Sequence, residues 1–225
     1  MLSLGIVDYQ TDPAQALLLG RSIAGAARWP GAPRLHTRRL DNSPPAPNLG
    51  FGAAQNKLMA EAFGDGEVRA HLCLNPDAVL HPACLAELWA ELERTPRAGL
   101  IEARQFPDEH AKPYDPRTHA TPWASGCCLL VTRECHARLG GFDERFFLYG
   151  EDVDLSWRAR AAGLHVGVAP KALVHHYVMD RAGDHQSRER MLRSAELLKS
   201  KVADHPELKK VADLEQGLVF AKARW

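Results

Sequence analysis

The sequence lacks the features that mark several large classes of protein. It has five cysteines, an odd number, and no two of them form a CxxC pair. We therefore expect neither a disulfide framework nor a zinc ribbon, and a reducing compartment fits this cysteine content best. The longest apolar runs, such as residues 127–131, fall far short of the roughly 20 residues that a membrane-spanning helix needs. The first residues also lack the basic-then-apolar pattern of a secretory signal, so the sequence predicts a cytoplasmic protein.

The sequence has no net charge either. Lys plus Arg and Asp plus Glu both number 28, so no global positive field gathers nucleic acid, and we expect no nucleic-acid partner. Any site for an anionic ligand must depend on local groups. The 45% hydrophobic and 25% charged composition of the 225 residues is that of an ordinary globular protein with one substantial core.

Short apolar runs alternate with helical patterns along the first half of the chain. Strands are predicted at residues 2–7, 34–40, 68–74 and 99–103, and helices at residues 13–28, 50–63 and 82–94. This alternation predicts an open, largely parallel α/β sheet. Residues 104–123 are rich in proline, histidine and charge without a clear period, and we expect a long functional loop there.

The second half of the chain continues the sheet and then changes composition. We predict strands at residues 127–131, 164–168 and 172–177, a helix at 151–162, and two C-terminal helices at 187–202 and 207–221. Arg, Lys, Glu and Leu dominate from about residue 183 onward. We therefore divide the chain into a sheet domain, residues 1–180, and a C-terminal helical appendage, residues 181–225.

Polar residues follow several predicted strands at the point where each strand ends. Asp8, Asp41 and the Asn75-Pro76-Asp77 turn occupy these positions, and ligands of open parallel sheets bind beyond the carboxyl ends of the strands. Asp77 is held at a turn whose proline fixes the backbone, which suits a rigid ligand for a divalent cation. The alternative interpretation is that Asp77 caps the helix that begins near Pro82.

Three acids stand together at the start of the helix predicted at residues 151–162. Glu151, Asp152 and Asp154 are explained equally well as compensation of the helix dipole. The neighbouring aromatic residues, among them Phe146 and Tyr149, favour partly dry surroundings in which a carboxylate acts as a base. We assign that role to Asp152, expect Glu151 to orient acceptor or metal-bound water, and expect Asp154 to brace the helix.

His175 and His176 end the last predicted strand. A neutral imidazole at this place completes the coordination of a cation together with Asp77. The alternative is that the histidine pair serves packing or lies at the surface, and spacing alone favours that alternative.

Several segments together resemble the inverting glycosyltransferase family 2, of the GT-A fold, and especially its rhamnosyltransferase-like bacterial branch. The resemblance covers most of residues 1–180. The segments that carry it are residues 48–56 (NLGFGAAQN), 74–77 (LNPD), 125–126 before a hydrophobic strand, and 140–158 (GGFDERFFLYGEDVDLSWR). It implies a Rossmann-like open mixed sheet flanked by helices, with C-terminal helices after it.

The resemblance also implies a reaction and a set of residues for it. Asp152 deprotonates an acceptor hydroxyl, which displaces a nucleoside diphosphate from the anomeric carbon with inversion, while Mg²⁺ or Mn²⁺ stabilises the leaving group. The metal ligands are then Asp77 and His175. The expected donor-binding residues are Asp8, Asp41, Asn48, Gly50, Phe51, Asn56, Asn75 and Asp77. The expected acceptor-binding residues are Trp123, Ser125, Gly126 and Tyr149.

The sequence departs from the family pattern at three places. The first strand ends in Asp8-Tyr9-Gln10 where the family has Thr-Tyr-Asn, Asn75 replaces the first acid of the metal motif, and the segment between Ser43 and Asn48 is short. These departures motivate a second hypothesis, a non-catalytic nucleotide-sugar-binding or scaffold domain. A third, a sugar-nucleotide-forming nucleotidyltransferase, lacks the expected glycine- and arginine-rich triphosphate loop near the first strand.

The partners implied by the resemblance are a nucleotide-sugar donor, with dTDP-rhamnose as our choice, and a saccharide or lipid-linked saccharide acceptor. The C-terminal region adds a possible membrane contact at the inner face, through basic residues set among leucines. The alternative is a helix packed on the domain with a solvated basic face, because Glu189 and Glu196 interrupt the charge. The basic residues are Arg181, Arg188, Arg190, Arg193, Lys199 and Lys201.

Overall fold

A computed structural model describes residues 1–176 and 185–218. The strands are β1 (Leu2–Asp8), β2 (Leu35–Asp41), β3 (Ala70–Leu74), β4 (Ala78–Leu80), β5 (Ala98–Phe106), β6 (Cys128–Thr132) and β7 (His165–His176). The helices are α1 (Pro13–Ala27), α2 (Phe51–Phe63), α3 (Cys84–Arg94), α4 (Arg133–Leu139), α5 (Glu151–Ala161), α6 (His185–Asp204), α7 (Pro206–Lys209) and α8 (Leu214–Gly217).

The strands form one mixed sheet in the order β2-β1-β3-β6-β5-β7-β4. Strand β1 pairs in parallel with β2 and β3, and β5 pairs in parallel with β7. Strand β6 runs antiparallel to both β3 and β5, and β4 runs antiparallel to β7. The predicted open mixed sheet flanked by helices is therefore confirmed. The expectation of a largely parallel sheet is wrong at β6 and β4, because an apolar run does not encode the direction of its strand.

Side-chain alternation along the strands separates two apolar layers. On one face, Leu72 and Leu74 pack with Leu85 and Leu88 of α3 and with α1. On the other face, Cys73 shares a cluster with side chains of α2, α4 and α5. Helix α1 begins where the sequence predicted, since Asp12 accepts hydrogen bonds from the backbone N–H groups of residues 14 and 15.

Most predicted elements are present, and four differ from the prediction. Strand β4 and helix α4 were missed because each is short. The two late strands are one strand, β7, in which the pairing with β5 jumps from Ala103↔Ala169 to Arg104↔Leu173 at an irregularity. The helix predicted at residues 207–221 is instead the two short helices α7 and α8, and its last residues lie outside the described part of the chain.

Helix α6 packs against α5 and the segment before it. Leu198 and Trp157 are buried in one cluster, and the Nζ atom of Lys201 lies 2.6 Å from Oδ2 of Asp143 and also contacts Asp154. Lys201, predicted on an exposed basic face, is therefore buried, because two carboxylates enclose its ammonium group. The division of the chain at residue 180 stays a prediction. Within the described ranges, no helix combines the length and the apolar character that crossing a membrane requires.

Candidate active site

The turn after β3 holds Asp77 at one edge of the sheet. The N–H of Asn75 donates to the carbonyl of Cys127 at 2.9 Å, and that of Ala78 donates to the carbonyl of Asn75 at 3.2 Å. These two bonds fix the turn to the start of β6 and direct the chain into β4. Because Ala78 pairs with His176, Asp77 comes to lie beside the end of β7.

His176, and not His175, faces Asp77. The Nε2 atom of His176 is 3.3 Å from Oδ1 of Asp77, and the side chain of His176 is buried. His175 is exposed on the opposite face of β7, with its ring 6.0 Å from that of Phe106. The histidine that faces Asp77 is residue 176 and not residue 175, because side chains alternate along a strand and Val174 and His176 share the inward face. A metal ligand at either histidine stays a prediction.

Hydrogen bonds fix the orientation of the His176 ring. Its Nδ1 donates to Oε1 of Gln105 at 2.9 Å, since a carbonyl oxygen only accepts. Nε2 lies 3.4 Å from the side-chain amide of Asn75 and faces Oδ1 of Asp77. Metal-binding histidines commonly donate from one ring nitrogen to an oxygen acceptor, which orients the ring, and bind the cation through the other nitrogen.

The same network continues to the segment before β6. The amide of Gln105 donates to the hydroxyl of Ser125 at 2.9 Å, and the N–H of Ser125 donates to Oε2 of Glu102 at 2.6 Å. The next N–H, that of Gly126, donates to Oδ2 of Asp152 at 2.9 Å. Asp77 and Asp152 are thus linked through side chains and one turn of the backbone.

Asp152 is partly exposed and firmly oriented. Its Oδ1 accepts from its neighbour's backbone, the N–H of Val153, at 2.8 Å, so both carboxylate oxygens have a fixed donor. Burial raises the pKa of Asp152, while the two N–H groups and the positive charge of Lys112 oppose that shift. A carboxylate with a raised pKa that still contacts solvent is suited to accept a proton.

Glu151 is more deeply buried than the proposed role of orienting acceptor or water requires. Its side chain lies near Gly52 of α2, and its Oε2 has no hydrogen-bond partner among the described residues. Burial, reinforced by the negative charge of Asp152, raises the pKa of Glu151. A buried carboxyl beside a second acid is stable only in its neutral form, so Glu151 leaves the charge of the pair to Asp152.

The predicted donor-binding acids at the ends of β1 and β2 already have partners. Both carboxylate oxygens of Asp8 accept hydrogen bonds from the guanidinium group of Arg39, at 2.9 and 2.7 Å. Asp41 is exposed, and hydrogen bonds from Ser43 lower the pKa of its carboxyl group. The two acids are direct neighbours across the pair of strands. Their contact with a nucleotide stays a prediction.

The segment at residues 48–56 has a packing role. Asn48 accepts from the N–H of Gly50 at 2.9 Å, and the ring of Phe51 makes an edge contact with that of Phe142. Both ends of the Asn56 amide are occupied by the backbone of Phe142, at 2.8 and 2.9 Å. These residues hold the segment that leads to Asp152. The Asn56 amide also donates to Oε1 of Glu144 at 3.1 Å, and donor binding by Asn56 stays a prediction.

The predicted acceptor-binding residues are placed unequally. Trp123 is 2% exposed, and its indole N–H donates to the carbonyl of Gln216 at 3.1 Å, so Trp123 lies behind the site and offers no open ring face. Ser125 and Gly126 are buried and bind the carboxylates of Glu102 and Asp152 through their backbone. Tyr149 has a positive φ of 72° and precedes Gly150, the N-cap residue of α5. The role of Tyr149 stays a prediction.

Three residues of this network were not expected from the sequence. Glu102 and Gln105 lie in β5, where a charged and an amide side chain interrupt a buried run. That interruption was a usable signal, since buried polar groups need partners. Lys112 lies in the long loop, and no local pattern in the sequence indicates its pairing with Glu102 of β5.

The residues at the turn after β3 fit a divalent cation in part. Across residues 1–176 and 185–218, no group of three or more His, Cys, Asp or Glu side chains is arranged around a cation site. Asp77 and His176 supply two ligands of suitable type, a carboxylate and an imidazole. Mg²⁺ is often bound by one or two protein groups together with phosphates and water. The arrangement therefore fits a cation that arrives with a diphosphate.

Comparison with known proteins finds a matching family and similar individual proteins. Residues 97–196 match the family described as "Glycosyltransferase like family 2". The chain is 34% identical to N-acetylglucosaminyl-diphospho-decaprenol L-rhamnosyltransferase of Mycobacterium tuberculosis, over 65% of this chain and 62% of that protein. It is 36% identical to rhamnosyltransferase WbbL of Escherichia coli over 24% of this chain and 21% of that protein. The chain thus spans less than two thirds of the length of either relative.

A solved structure has a similar fold. Mannosyltransferase PcManGT from Pyrobaculum calidifontis, in complex with GDP-Man and Mn²⁺, gives a TM-score of 0.69 at 16% identity. The superposition covers 96% of this chain and 69% of that chain. At this level of identity the likeness establishes the shared fold alone.

Proposed function

We propose that this chain is a family 2 glycosyltransferase and transfers a sugar from a nucleoside-diphosphate donor to a hydroxyl group; the match of residues 97–196 to that family and the similar fold of the mannosyltransferase support the proposal. The observation that supports this proposal most strongly is the network from Asp77 to Asp152. It runs through His176, Gln105 and Ser125, in steps of 3.3, 2.9 and 2.9 Å, and reaches Asp152 through the N–H of Gly126. The network thereby connects the residues that we propose to meet the diphosphate with the residue that we propose as the base.

In the proposed reaction, Asp152 accepts the proton of the acceptor hydroxyl. The hydroxyl oxygen then attacks the anomeric carbon from the side opposite the diphosphate, the bond between that carbon and the diphosphate oxygen breaks, and its electron pair leaves with the nucleoside diphosphate. The anomeric configuration inverts. The N–H groups of Gly126 and Val153 keep the carboxylate in place during proton transfer.

Asp77 and His176 are the residues that we propose to hold Mg²⁺ or Mn²⁺. When bound, the cation supplies charge stabilisation to the leaving diphosphate. Asn75 stands where an acid is usual in the family, so it adds no negative charge and contributes an amide that contacts His176. Asp8 and Asp41, at the neighbouring strand ends, are the residues that we propose to meet the nucleoside.

We propose rhamnose, from dTDP-rhamnose, as the donor sugar and a lipid-linked saccharide as the acceptor. The support is the name of the mycobacterial relative, which is a rhamnosyltransferase that acts on a diphospho-decaprenol-linked N-acetylglucosamine. The test is a panel of nucleotide sugars with Mn²⁺ and a polyprenyl-diphosphate-linked N-acetylglucosamine. We expect nucleoside diphosphate release with dTDP-rhamnose, and a product whose anomeric configuration, measured by NMR, is inverted relative to the donor.

The alternative function, a non-catalytic nucleotide-sugar-binding or scaffold domain, predicts a different outcome of the same panel. Two observations favour this alternative. Asn75 replaces an acid of the family's metal motif, and among the described residues the candidate cation site has two ligands, not three or more. Under this alternative, donors bind and raise the melting temperature, but no acceptor yields nucleoside diphosphate. If the nucleotide sugar stays intact with every acceptor, the transfer reaction is excluded.

We also propose that this protein contacts the inner face of the membrane through α6, because the acceptor that we propose is linked to a lipid. Arg188 and Arg193 are exposed on this helix, and Arg190 lies over the ring of Phe147. Deleting α6 is an unsuitable test because its other face is buried against α5. Reversing these three arginines to glutamate should reduce sedimentation with anionic vesicles.

A matched control for the vesicle experiment reverses three exposed basic residues on other elements, with the same change in net charge. Arg21, Lys57 and Lys171 meet this requirement. We expect the control variant to sediment like the unmodified protein. Equal loss in both variants would mean that total charge, and not α6, governs the contact.

A further inference from the structure

A buried ion pair joins the long loop to the sheet behind the proposed base. The Nζ atom of Lys112 is 2.6 Å from Oε1 and 2.8 Å from Oε2 of Glu102. The side chains are 8% and 5% exposed, respectively. The ammonium group also lies 3.8 Å from the ring centroid of Trp123, a distance suited to a cation–π contact. Lys112 is therefore fixed from two sides and poorly screened by solvent.

Glu102 and Asp152 bind the same turn of the backbone. Glu102 accepts from the N–H of Ser125 at 2.6 Å, and Asp152 accepts from the N–H of Gly126 at 2.9 Å. Two carboxylates thus accept from consecutive N–H groups. This brings Glu102, and with it Lys112, into the surroundings of the proposed base although neither faces an open site.

We propose that Glu102 and Lys112 are positioning residues for Asp152: Glu102 holds the turn that orients the base, and Lys112 supplies the positive charge that keeps it ionised. The inference rests on the proposed function, in which Asp152 is the base. Neither residue needs to touch a substrate. Their effect on the reaction is carried by the Ser125-Gly126 turn and by charge.

The charges around Asp152 have opposite effects. Lys112 favours its ionised form, whereas the negative charge of Glu102 opposes it. His110, which packs against Trp123, adds no charge at neutral pH, because burial and the nearby Lys112 lower its pKa to about 4. Removing the charge of Glu102 alone should therefore lower the pKa of Asp152, and removing that of Lys112 afterwards should raise it again.

The experiment measures the pKa of Asp152 directly. NMR titration of protein labelled at the aspartate carboxyl carbon gives this value, with the Asp152 signal assigned by its loss in Asp152→Asn. Glu102→Gln keeps an acceptor for the N–H of Ser125, and Glu102→Gln/Lys112→Met then removes the positive charge without leaving a buried carboxylate unpaired. Arg117→Gln, in the same loop but exposed, is the matched control.

Compared with the unmodified protein, we expect a lower pKa of Asp152 in Glu102→Gln and an unchanged pKa in Arg117→Gln. In the double variant, the pKa of Asp152 should be higher than in Glu102→Gln. If Glu102→Gln does not fold, Glu102→Gln/Lys112→Arg replaces it in the comparison. A pKa that stays the same between the variants with and without the positive charge at position 112 overturns the inference.

Turnover measured on the same proteins separates this inference from the proposed function. In the active enzyme, the acid side of the pH profile of kcat/KM should move in parallel with the pKa of Asp152. Absence of turnover in the unmodified protein contradicts the proposed function, while the NMR titration still decides whether Lys112 and Glu102 act on Asp152.

Discussion

The Nε2 atom of His176 lies 3.3 Å from Oδ1 of Asp77, across the antiparallel pair that β4 forms with β7. The two residues are far apart in sequence, and the short strand β4 brings them together. Ala78, the first residue of β4, pairs with His176, so the residue before β4 meets the end of β7. The candidate cation site thus depends on a strand of three residues.

The neighbouring histidine provides a matched control for this pair. His176→Ala should weaken Mn²⁺-dependent binding of a nucleoside diphosphate by roughly tenfold or more, the size of effect seen on disturbing metal sites. His175→Ala should leave it unchanged, since His175 is on the other face of β7. Titration calorimetry with and without a chelator measures both. Equal weakening by the two substitutions, or binding that persists in chelator, would contradict the assignment.

Lys201 is expected to be important for stability. Its ammonium group contacts Asp143 and Asp154, whose side chains are 15% and 1% exposed, so Lys201→Met removes one of the two cations at each carboxylate and leaves Arg145 and Arg158 as the remaining partners. We expect a loss of about 1.5–3 kcal/mol in the free energy of unfolding, measured by denaturant titration. Lys199→Met, on the exposed side of the same helix, should change it by less than about 0.5 kcal/mol. Similar losses in both would mean that the ion pairs are unimportant.

Gly50 should not tolerate a side chain. Its φ is 80°, and a Cβ atom at this position would lie 2.3 Å from the carbonyl oxygen of Phe147. Gly50→Ala should destabilise the protein by at least about 1–3 kcal/mol. Gly20→Ala, in the exposed middle of α1 with nothing within 4 Å, should instead stabilise it by up to about 1 kcal/mol. Thermal unfolding of the pair measures the contrast, and a neutral Gly50→Ala would contradict the close approach.

Acid sensitivity is expected from His71. Its ring is buried between Ser3 and Gln55, and burial, reinforced by the charge of Arg38, lowers the pKa of His71 from 6.5 to about 3. Between these pH values the unfolded chain binds one more proton than the folded chain, so the free energy of unfolding falls as pH falls.

The size of this effect is set by the ordinary pKa of histidine. Between pH 7 and pH 5 the unmodified protein should lose about 2 kcal/mol more than His71→Gln, which cannot titrate there. Urea unfolding of both proteins at the two pH values measures the difference. Equal losses would show that His71 does not remain neutral in the folded protein.

Local periodicity was enough to locate most of the fold and the acidic end of α5. Strands were predicted at residues 2–7, 68–74 and 127–131, and the structure has β1, β3 and β6 there, with bounds that differ by one or two residues. The choice between His175 and His176 was also within reach of the sequence, because Val174 is apolar and alternate residues of a strand share a face.

Other features depend on contacts between distant segments and leave no local pattern. The direction of β6 is set by pairing with β3 and β5, not by its own residues. Lys112 is one of several charges in an irregular loop, and its contacts with Glu102 and Trp123 distinguish it. Lys201 likewise looked like one more exposed basic residue of a helix, although two acids from another segment enclose it.

The central claim, that Asp152 is the base of a transfer reaction, is tested most directly by measuring nucleoside diphosphate release and donor binding on the same preparations. Asp152→Asn should reduce release by about 10²- to 10⁴-fold while the dissociation constant of the donor stays nearly unchanged. Asp108→Asn, at an exposed acid of the long loop, should release at the rate of the unmodified protein. Release by Asp152→Asn at that same rate would contradict the account.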